Sequence, residues 1–148
     1  MRQKTFSQTR PEKNFIIENV ENGKCTVLFF DNIEEIEQKD EERTVQYSYD
    51  LYKVSVPYRE GLQDEIESKY NTWLEFAKDC DYEIEAAKIR QLRDKILADT
   101  DWTQMKDTSL SEEKQRKYQV YRQLLRDVPE QEGFPYDVEF PVLEGQGD

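Results

Sequence analysis

The spacing of apolar residues changes once along this chain, and that change constrains the fold more than any other feature. Before Pro57, apolar and polar residues alternate with the period of two that is typical of β-strands. From about Gly61, apolar residues recur every three or four positions, as on one face of an α-helix. A sheet followed by helices in one chain of 148 residues predicts an α+β fold.

The predicted sheet starts with a hairpin. Asn22-Gly23 separates two short β-prone runs, KNFIIENV and KCTVLFF. Asn-Gly is the strongest short hairpin signal, because both central residues of a type I′ turn need a positive φ. Thr44–Val56 predicts a third strand. Its alternation puts one apolar set (Val45, Tyr47, Tyr49 and Leu51) on one face and a second set (Tyr52, Val54 and Val56) on the other. A β-bulge near Asp50-Leu51 would bring both sets onto one face. We therefore expect a three-stranded antiparallel sheet over residues 13–57, with one apolar face, before the helices.

Three segments carry no signal for regular structure. Residues 1–12 predict a flexible N-terminal arm, and residues 142–148 predict a disordered tail. Asp31–Arg43 is acidic and predicts a solvated loop or a frayed helical turn. We do not expect a metal there, because the segment lacks the glycine and the alternating carboxylates of an EF-hand loop.

Residues 58–98 predict a helical region. Its first apolar stripe comprises Leu62, Ile66, Tyr70, Trp73, Leu74 and Ala77, and its second comprises Ala86, Ile89, Leu92 and Ile96. Two interpretations remain open at this stage: two helices with a break near Cys80-Asp81, or one long kinked helix.

Residues 99–141 predict a small C-terminal helical module. A polar connector holds Trp102, and Ser109 with Glu112 predicts a capping box. The helix should end near Asp127, because Pro129 disfavours the α conformation of the residue before it. The inward stripe is expected to hold Tyr118, Tyr121, Leu125 and Val128, supported by Leu124, and the Pro-rich tail is expected to run extended and pack its aromatic residues back.

Composition excludes several classes of function. The formal net charge is −12, which disfavours binding to phosphate backbones and anionic membranes. The chain has no histidine, which removes Ser-His-Asp and Cys-His catalysis and most zinc sites. Its five glycines do not cluster into a phosphate-binding loop. We therefore predict no enzyme activity, no catalytic residue, no cofactor and no metal, and we expect Cys25 and Cys80 to be buried free thiols.

Two arginines on the last helix allow two interpretations. Arg122 and Arg126 lie four residues apart and so share a helix face. In the local interpretation they pair with Asp99, Asp101 or Asp107 and hold the connector against the helix. In the second interpretation they belong to a binding surface, because arginine and aromatic residues are enriched at protein interfaces. Trp102 is either the core of a small satellite cluster or a binding anchor.

The stretch from Arg93 to Pro141 carries a long, specific pattern. Its elements are Thr100-Asp101-Trp102, Asp107, Tyr121-Arg122, Leu125-Arg126-Asp127-Val128-Pro129 and Gly133-Phe134-Pro135. This stretch resembles the C-terminal region of tail-fibre assembly proteins of tailed bacteriophages, often called tail assembly chaperones. It differs from the family pattern in having Tyr118 and Phe140 where the family often has tryptophan. Both changes keep an aromatic ring.

The resemblance implies a phage or prophage accessory protein that binds another phage protein, a tail or tail-fibre component, and assists assembly. We expect a location in the host cytoplasm, because Met1–Lys13 lacks the apolar region of a secretory signal and the longest apolar run, Val27–Phe30, is too short to span a bilayer. The virion is the alternative location. The residues predicted to bind the partner are Trp102, Tyr118, Tyr121, Arg122, Arg126, Asp127, Phe134 and Pro135. The alternative is a minor structural component of the virion in the tail, baseplate or neck, in which an exposed sheet edge adds a strand of the partner.

Overall fold

A computed structural model describes residues 3–37 and 44–143. The chain divides into two compact units, Met1–Glu83 and Ile84–Asp148, which we call the first and second units. The elements in chain order are β1 Gln3–Ser7, β2 Phe15–Glu21, β3 Lys24–Glu37, β4 Val45–Pro57, α1 Leu62–Ser68, α2 Tyr70–Asp99 and α3 Glu112–Asp127, with short 3₁₀ turns at Asp101–Gln104 and Val128–Glu130. The α+β class is therefore confirmed.

The antiparallel sheet has four strands in the order β1-β4-β3-β2, so the prediction of three strands was wrong. The additional strand, β1, lies in the segment predicted to be a flexible arm and pairs with β4 over Tyr47–Leu51. Its sequence, QKTFS, gives little local signal for a strand. It is ordered because β4 offers an unpaired row of backbone hydrogen-bonding groups beside it.

The first hairpin forms at the predicted place. Asn22 and Gly23 have φ values of 51° and 72°, as a type I′ turn requires. β3 then continues to Glu37, through half of the segment that was predicted to be a loop. Its acidic residues remain in a strand because β4 pairs with them up to the Glu37–Val45 pair.

A bulge is present opposite Asp50, close to the predicted position, but the extra residue lies in β3 and not in β4. The β3–β4 register shifts between Asp31–Asp50 and Glu34–Ser48, which leaves one extra residue in β3. Asn32 adopts a φ of 50°, and its side-chain amide donates to Asp50 Oδ2 at 2.9 Å. β4 itself keeps an unbroken register with β1, so its two apolar sets face opposite sides of the sheet.

The core of the first unit lies between one face of the sheet and the helical stripe. The sheet contributes Phe15, Cys25, Val27, Phe29, Tyr52, Val54 and Val56, and the helices contribute Leu62, Ile66, Leu74 and Ala77. Tyr70 and Trp73 pack against this cluster, which confirms the first predicted stripe. Both cysteines are free, with Cys25 buried and Cys80 only partly buried.

The helical region breaks at Lys69, between α1 and α2, and not near Cys80-Asp81. No glycine or proline marks this break, and α2 runs without interruption for 30 residues. The position follows from packing, because Leu62 and Ile66 before the break and Leu74 after it reach the same core. In the second predicted stripe Ala86 is buried, whereas Leu92 is 47% exposed.

The third helix begins two residues after the predicted capping box. Its N-cap is Ser111, whose hydroxyl accepts from the amide of Lys114, and Glu112 is already its first residue. Ser109 therefore does not cap it. The predicted end at Asp127 is confirmed. None of the helices within residues 3–37 and 44–143 combines the length and the apolar character needed to cross a bilayer.

Three groups in the core of the first unit have raised pKa values. Burial raises the pKa of the Cys25 thiol. Burial, with a smaller effect of the Asp31 carboxylate, raises the pKa of Tyr70. The Asp31 carboxylate, 2.9 Å from the Lys78 ammonium, raises the pKa of Lys78 by accepting its hydrogen bond, and this outweighs the opposing effect of burial.

We expect the first unit to lose stability in alkaline solution. A group with a raised folded-state pKa stabilises the fold below its unfolded pKa, and this contribution is lost as the pH rises through the folded value. The unfolded values are about 8.5 for cysteine, about 10 for tyrosine and about 10.4 for lysine, so the loss should steepen above about pH 10. Urea unfolding of a Trp102→Phe chain at increasing pH, followed through Trp73 fluorescence, measures it.

Two variants separate the contribution of the ion pair. Lys78→Met keeps an apolar side chain but removes the charge beside Asp31, so it should flatten the pH dependence above about pH 10. Lys53→Met, at an exposed position of β4, is the matched control and should leave the dependence unchanged. An equal effect of both variants would contradict the role given to the Asp31–Lys78 pair.

Candidate functional site

The second unit is organised around the buried guanidinium of Arg122, which is only 7% exposed. Its Nη1 donates to the carbonyl of Leu97 at 2.6 Å and to Thr100 Oγ1 at 2.7 Å. Its Nη2 donates to Asp101 Oδ1 at 2.6 Å. A buried charge is tolerated only when it is paired and hydrogen-bonded, and these three acceptors meet that condition.

These bonds also complete the C-terminal end of α2. The last four carbonyls of a helix lack partners within the helix. Here Ile96 O accepts from the amide and the hydroxyl of Thr100, and Leu97 O accepts from Arg122. The Thr100 carbonyl in turn accepts from the amide and hydroxyl of the buried Thr103. A cation beside a helix C-terminus is also favoured by the helix dipole.

The local interpretation of the two arginines therefore applies to one of them. Arg122 holds the connector against α3, and its carboxylate partner among the three candidates is Asp101. Arg126 lies one turn further along and its side chain is exposed. The neighbouring Asp127 accepts from the Gln123 side chain at 2.9 Å.

Trp102 lies on the surface of this turn. It is 48% exposed, and its ring lies 6.2 Å from that of Tyr118, centroid to centroid. Met105 in the same connector is 56% exposed. Trp102 is thus partly packed and partly accessible to a partner.

The segment after α3 folds into a tight turn. The amides of Tyr136 and Asp137 both donate to the carbonyl of Gly133. A Cβ at position 133 would lie 2.1 Å from the Asp137 carbonyl oxygen, so only glycine fits. The Gln131 side chain then binds both backbone groups of Glu139, each at 2.8 Å, and so fixes the start of the tail.

The two predicted site residues in this turn serve mainly to pack it. Pro135 is buried, and the Phe134 ring lies under the guanidinium of Arg90 at 5.3 Å. The tail was predicted to pack its aromatic residues onto the helices. Phe134 does so, at Arg90 of α2, whereas Tyr136 is 46% exposed.

An apolar groove of about 430 Å³ runs along the other side of α3. We call it the α3 groove, and its apolar lining consists of Val120, Tyr121, Leu124, Val142 and Leu143. Charged residues at one end form i,i+4 ion pairs, including Glu113–Lys117 at 3.5 Å, as their spacing indicates. The groove lies entirely within the second unit.

The eight predicted binding residues therefore do not form one surface. Trp102 and Tyr118 contact each other, Tyr121 lines the α3 groove, and Arg122 and Pro135 are interior. Leu124, expected to support the inward stripe, is 51% exposed.

Sequence reasoning missed the groove residues Val120, Leu124 and Val142. One signal could have found the first two: they lie four residues apart, on the helix face away from Leu125. Val142 was assigned to the tail that was expected to be disordered.

Among the described residues, no group of three or more acidic or cysteine side chains is arranged to hold a metal ion. The accessible features of this unit are therefore an apolar groove and a tryptophan, which are typical of a protein-binding surface.

A comparison with protein-family models gives a match over residues 86–143. This segment matches the phage tail assembly chaperone family. The match contains the whole stretch from Arg93 to Pro141 and confirms its resemblance to that family. Residues 1–85 lie outside it. Searches of curated proteins and of solved structures found no significant match to this chain.

The matched segment, residues 86–143, includes the Arg122 site and the α3 groove. The match supports a role in phage tail assembly, and the family is described as a tail assembly chaperone. The motif also gains a physical meaning, because Thr100 and Asp101 in its first part bind Arg122 in its second part.

Arg122→Met should lower the free energy of unfolding of the second unit by about 2–4 kcal/mol, because the Leu97 carbonyl and Thr100 would lose a buried charged donor. Urea unfolding of a Trp73→Phe chain, followed through Trp102 fluorescence, measures this loss. Arg126→Met on the exposed side is the matched control and should change stability by less than about 0.5 kcal/mol. Equal losses in the two variants would contradict the central role of Arg122.

Proposed function

We propose that this protein assists phage tail assembly by binding a tail or tail-fibre protein at the α3 groove and covering it until it is built into the tail. The observation that carries the proposal is that the groove, with its exposed apolar side chains, lies inside the segment that matches the chaperone family. The bound client would be an apolar segment that becomes buried in the finished tail.

The exposure of the groove residues supports binding of such a segment. Val142 is 86% exposed, Val120 63% and Leu124 51%. Fully burying one such side chain yields about 1.5–3 kcal/mol, so a few of them together suffice for transient binding. The nearby Glu112–Arg116 and Glu113–Lys117 pairs are surface ion pairs and would add orientation more than affinity.

The residues predicted from the sequence enter the proposal in two ways. Tyr121 lines the groove, Trp102 and Tyr118 offer a second accessible area on the same unit, and Arg126 is exposed on α3. Arg122, by contrast, would act on binding through the positions of α3 and the connector.

The charge of the protein fits the same role. A net charge of −12 keeps a protein with an exposed apolar groove soluble and disfavours contacts between copies. We place this activity in the host cytoplasm, where tail proteins are made before they assemble.

Leu124→Glu should lower the affinity for the client at least tenfold, because a carboxylate would have to be buried in an apolar contact. The measurement is calorimetric titration against the purified tail and tail-fibre proteins of the same phage. Leu92→Glu is the matched control, since Leu92 is similarly exposed on the same unit but lies outside the groove. Both variants should melt close to the parent chain, and unchanged binding by Leu124→Glu would overturn the groove as the binding site.

The second candidate is a minor structural component of the tail, baseplate or neck. The observation that favours it is the part of β3 beyond the end of its pairing with β2, whose outer side can add a partner's strand. Quantitative mass spectrometry of purified virions and of the lysate that produced them separates the two. An assembly factor should be abundant in the lysate and absent from particles, whereas a stoichiometric amount in particles would overturn the chaperone proposal.

A further inference from the structure

The outer edge of β3 is open along its acidic half. β2 pairs with β3 only over Lys24–Phe29, and the amide of Phe30 donates to Asn14. Beyond that point β3 pairs with β4 at Asp31 and, after the bulge at Asn32, over Glu34–Glu37, and no described residue pairs with its other side. After the bulge this leaves an open row of backbone donors and acceptors about 13 Å long, at the usual rise per residue of a strand.

The same segment concentrates the negative charge of the chain. Residues 31–37 hold four carboxylates, a third of the net charge of −12, and Lys78 pairs with one of them, Asp31. In the described part, DNIEEIE, no residue is basic. Glu34, Glu35 and Glu37 are all exposed. A lysine on an edge strand is a common guard against unwanted pairing, and this edge has none.

We propose that Glu34–Glu37 binds an extended basic segment of another protein as an added β-strand. The open backbone edge would supply the hydrogen bonds, and the carboxylates would select the partner. Glu35 and Glu37 are two residues apart and project from the same face of β3, so the added strand would carry lysine or arginine at alternate positions beside them.

Charge decides between this occupant and a second copy of the chain. Two copies joined edge to edge would place these carboxylates beside one another, and like charges on neighbouring strands are destabilising. A basic strand at the same place would instead attract these carboxylates. The inference is independent of the α3 groove, because the edge belongs to the first unit and the groove to the second. It rests on the same edge as the second candidate function and adds the chemistry of the partner.

The probe is a synthetic peptide of alternating valine and lysine, eight residues long, with both ends blocked. Two further peptides carry N-methyl groups, one on the valine amides and the other on the lysine amides. Only alternate amides of an added strand face the protein. Strand addition therefore predicts that one N-methylated peptide binds at least tenfold more weakly than the other, measured by calorimetry at physiological salt. Equal affinities of the two would show attraction by charge alone and overturn the proposal.

Two variants locate the site. Glu35→Lys with Glu37→Lys should weaken binding of the unmodified peptide at least tenfold. The matched control is Glu60→Lys with Asp64→Lys, which makes the same change in net charge at two exposed positions just after Pro57, which pairs with the opposite end of β3 at Lys24. It should weaken binding less than about threefold, because salt screens charges beyond roughly 8 Å. Equal losses in the two double variants, or no binding at millimolar peptide, would overturn the proposal.

Discussion

The burial of one charged side chain determines the arrangement of the C-terminal half of this protein. Arg122 has to place its donors on acceptors, because an unpaired guanidinium in the interior would cost several kcal/mol. The available acceptors are at the C-terminal end of α2 and in the turn that follows it. This requirement holds α3 against that turn and sets which of its faces point inward.

The same requirement determines what is left on the surface. With Arg122 and Leu125 inside, Val120 and Leu124 lie on the opposite side of α3 and remain exposed. The tail is fixed beside them by the Gln131 bonds to Glu139, and Val142 and Leu143 line the other part of the α3 groove. The motif that carries the family resemblance thus mainly builds a scaffold, whereas the groove residues we assign to binding lie mostly outside it. A motif match can therefore identify such a module without identifying its binding surface.

The first unit has a different physical basis. The apolar stripe of α1 and α2 covers one face of its sheet. The outer sides of β4 and β3 differ in how far they are paired. One side of β4 is covered by β1. The outer side of β3 is left open in its most acidic part. The two surfaces that we propose for binding, the apolar α3 groove and the acidic edge of β3, belong to different units, and each can be removed by substitution without the other.

The sequence by itself determined the features that depend on a few neighbouring residues. Asn22-Gly23 specified a type I′ turn, Pro129 specified the end of α3, and the change of period near Gly61 separated sheet from helices, because each of these reflects local backbone sterics or the burial of one face. The residues of the family motif were likewise readable without a structure.

Tertiary structure decided everything that depends on a distant partner. β1 and the acidic half of β3 are strands only because β4 pairs with both, and the break at Lys69 follows from packing on the sheet. The sequence offered three aspartates for Arg122, and the geometry of the turn selected Asp101. It also gave Leu124 and Leu125 equal hydrophobicity. The packing of α3 leaves Leu125 buried in the core and Leu124 exposed in the groove, against the expectation that both would face inward.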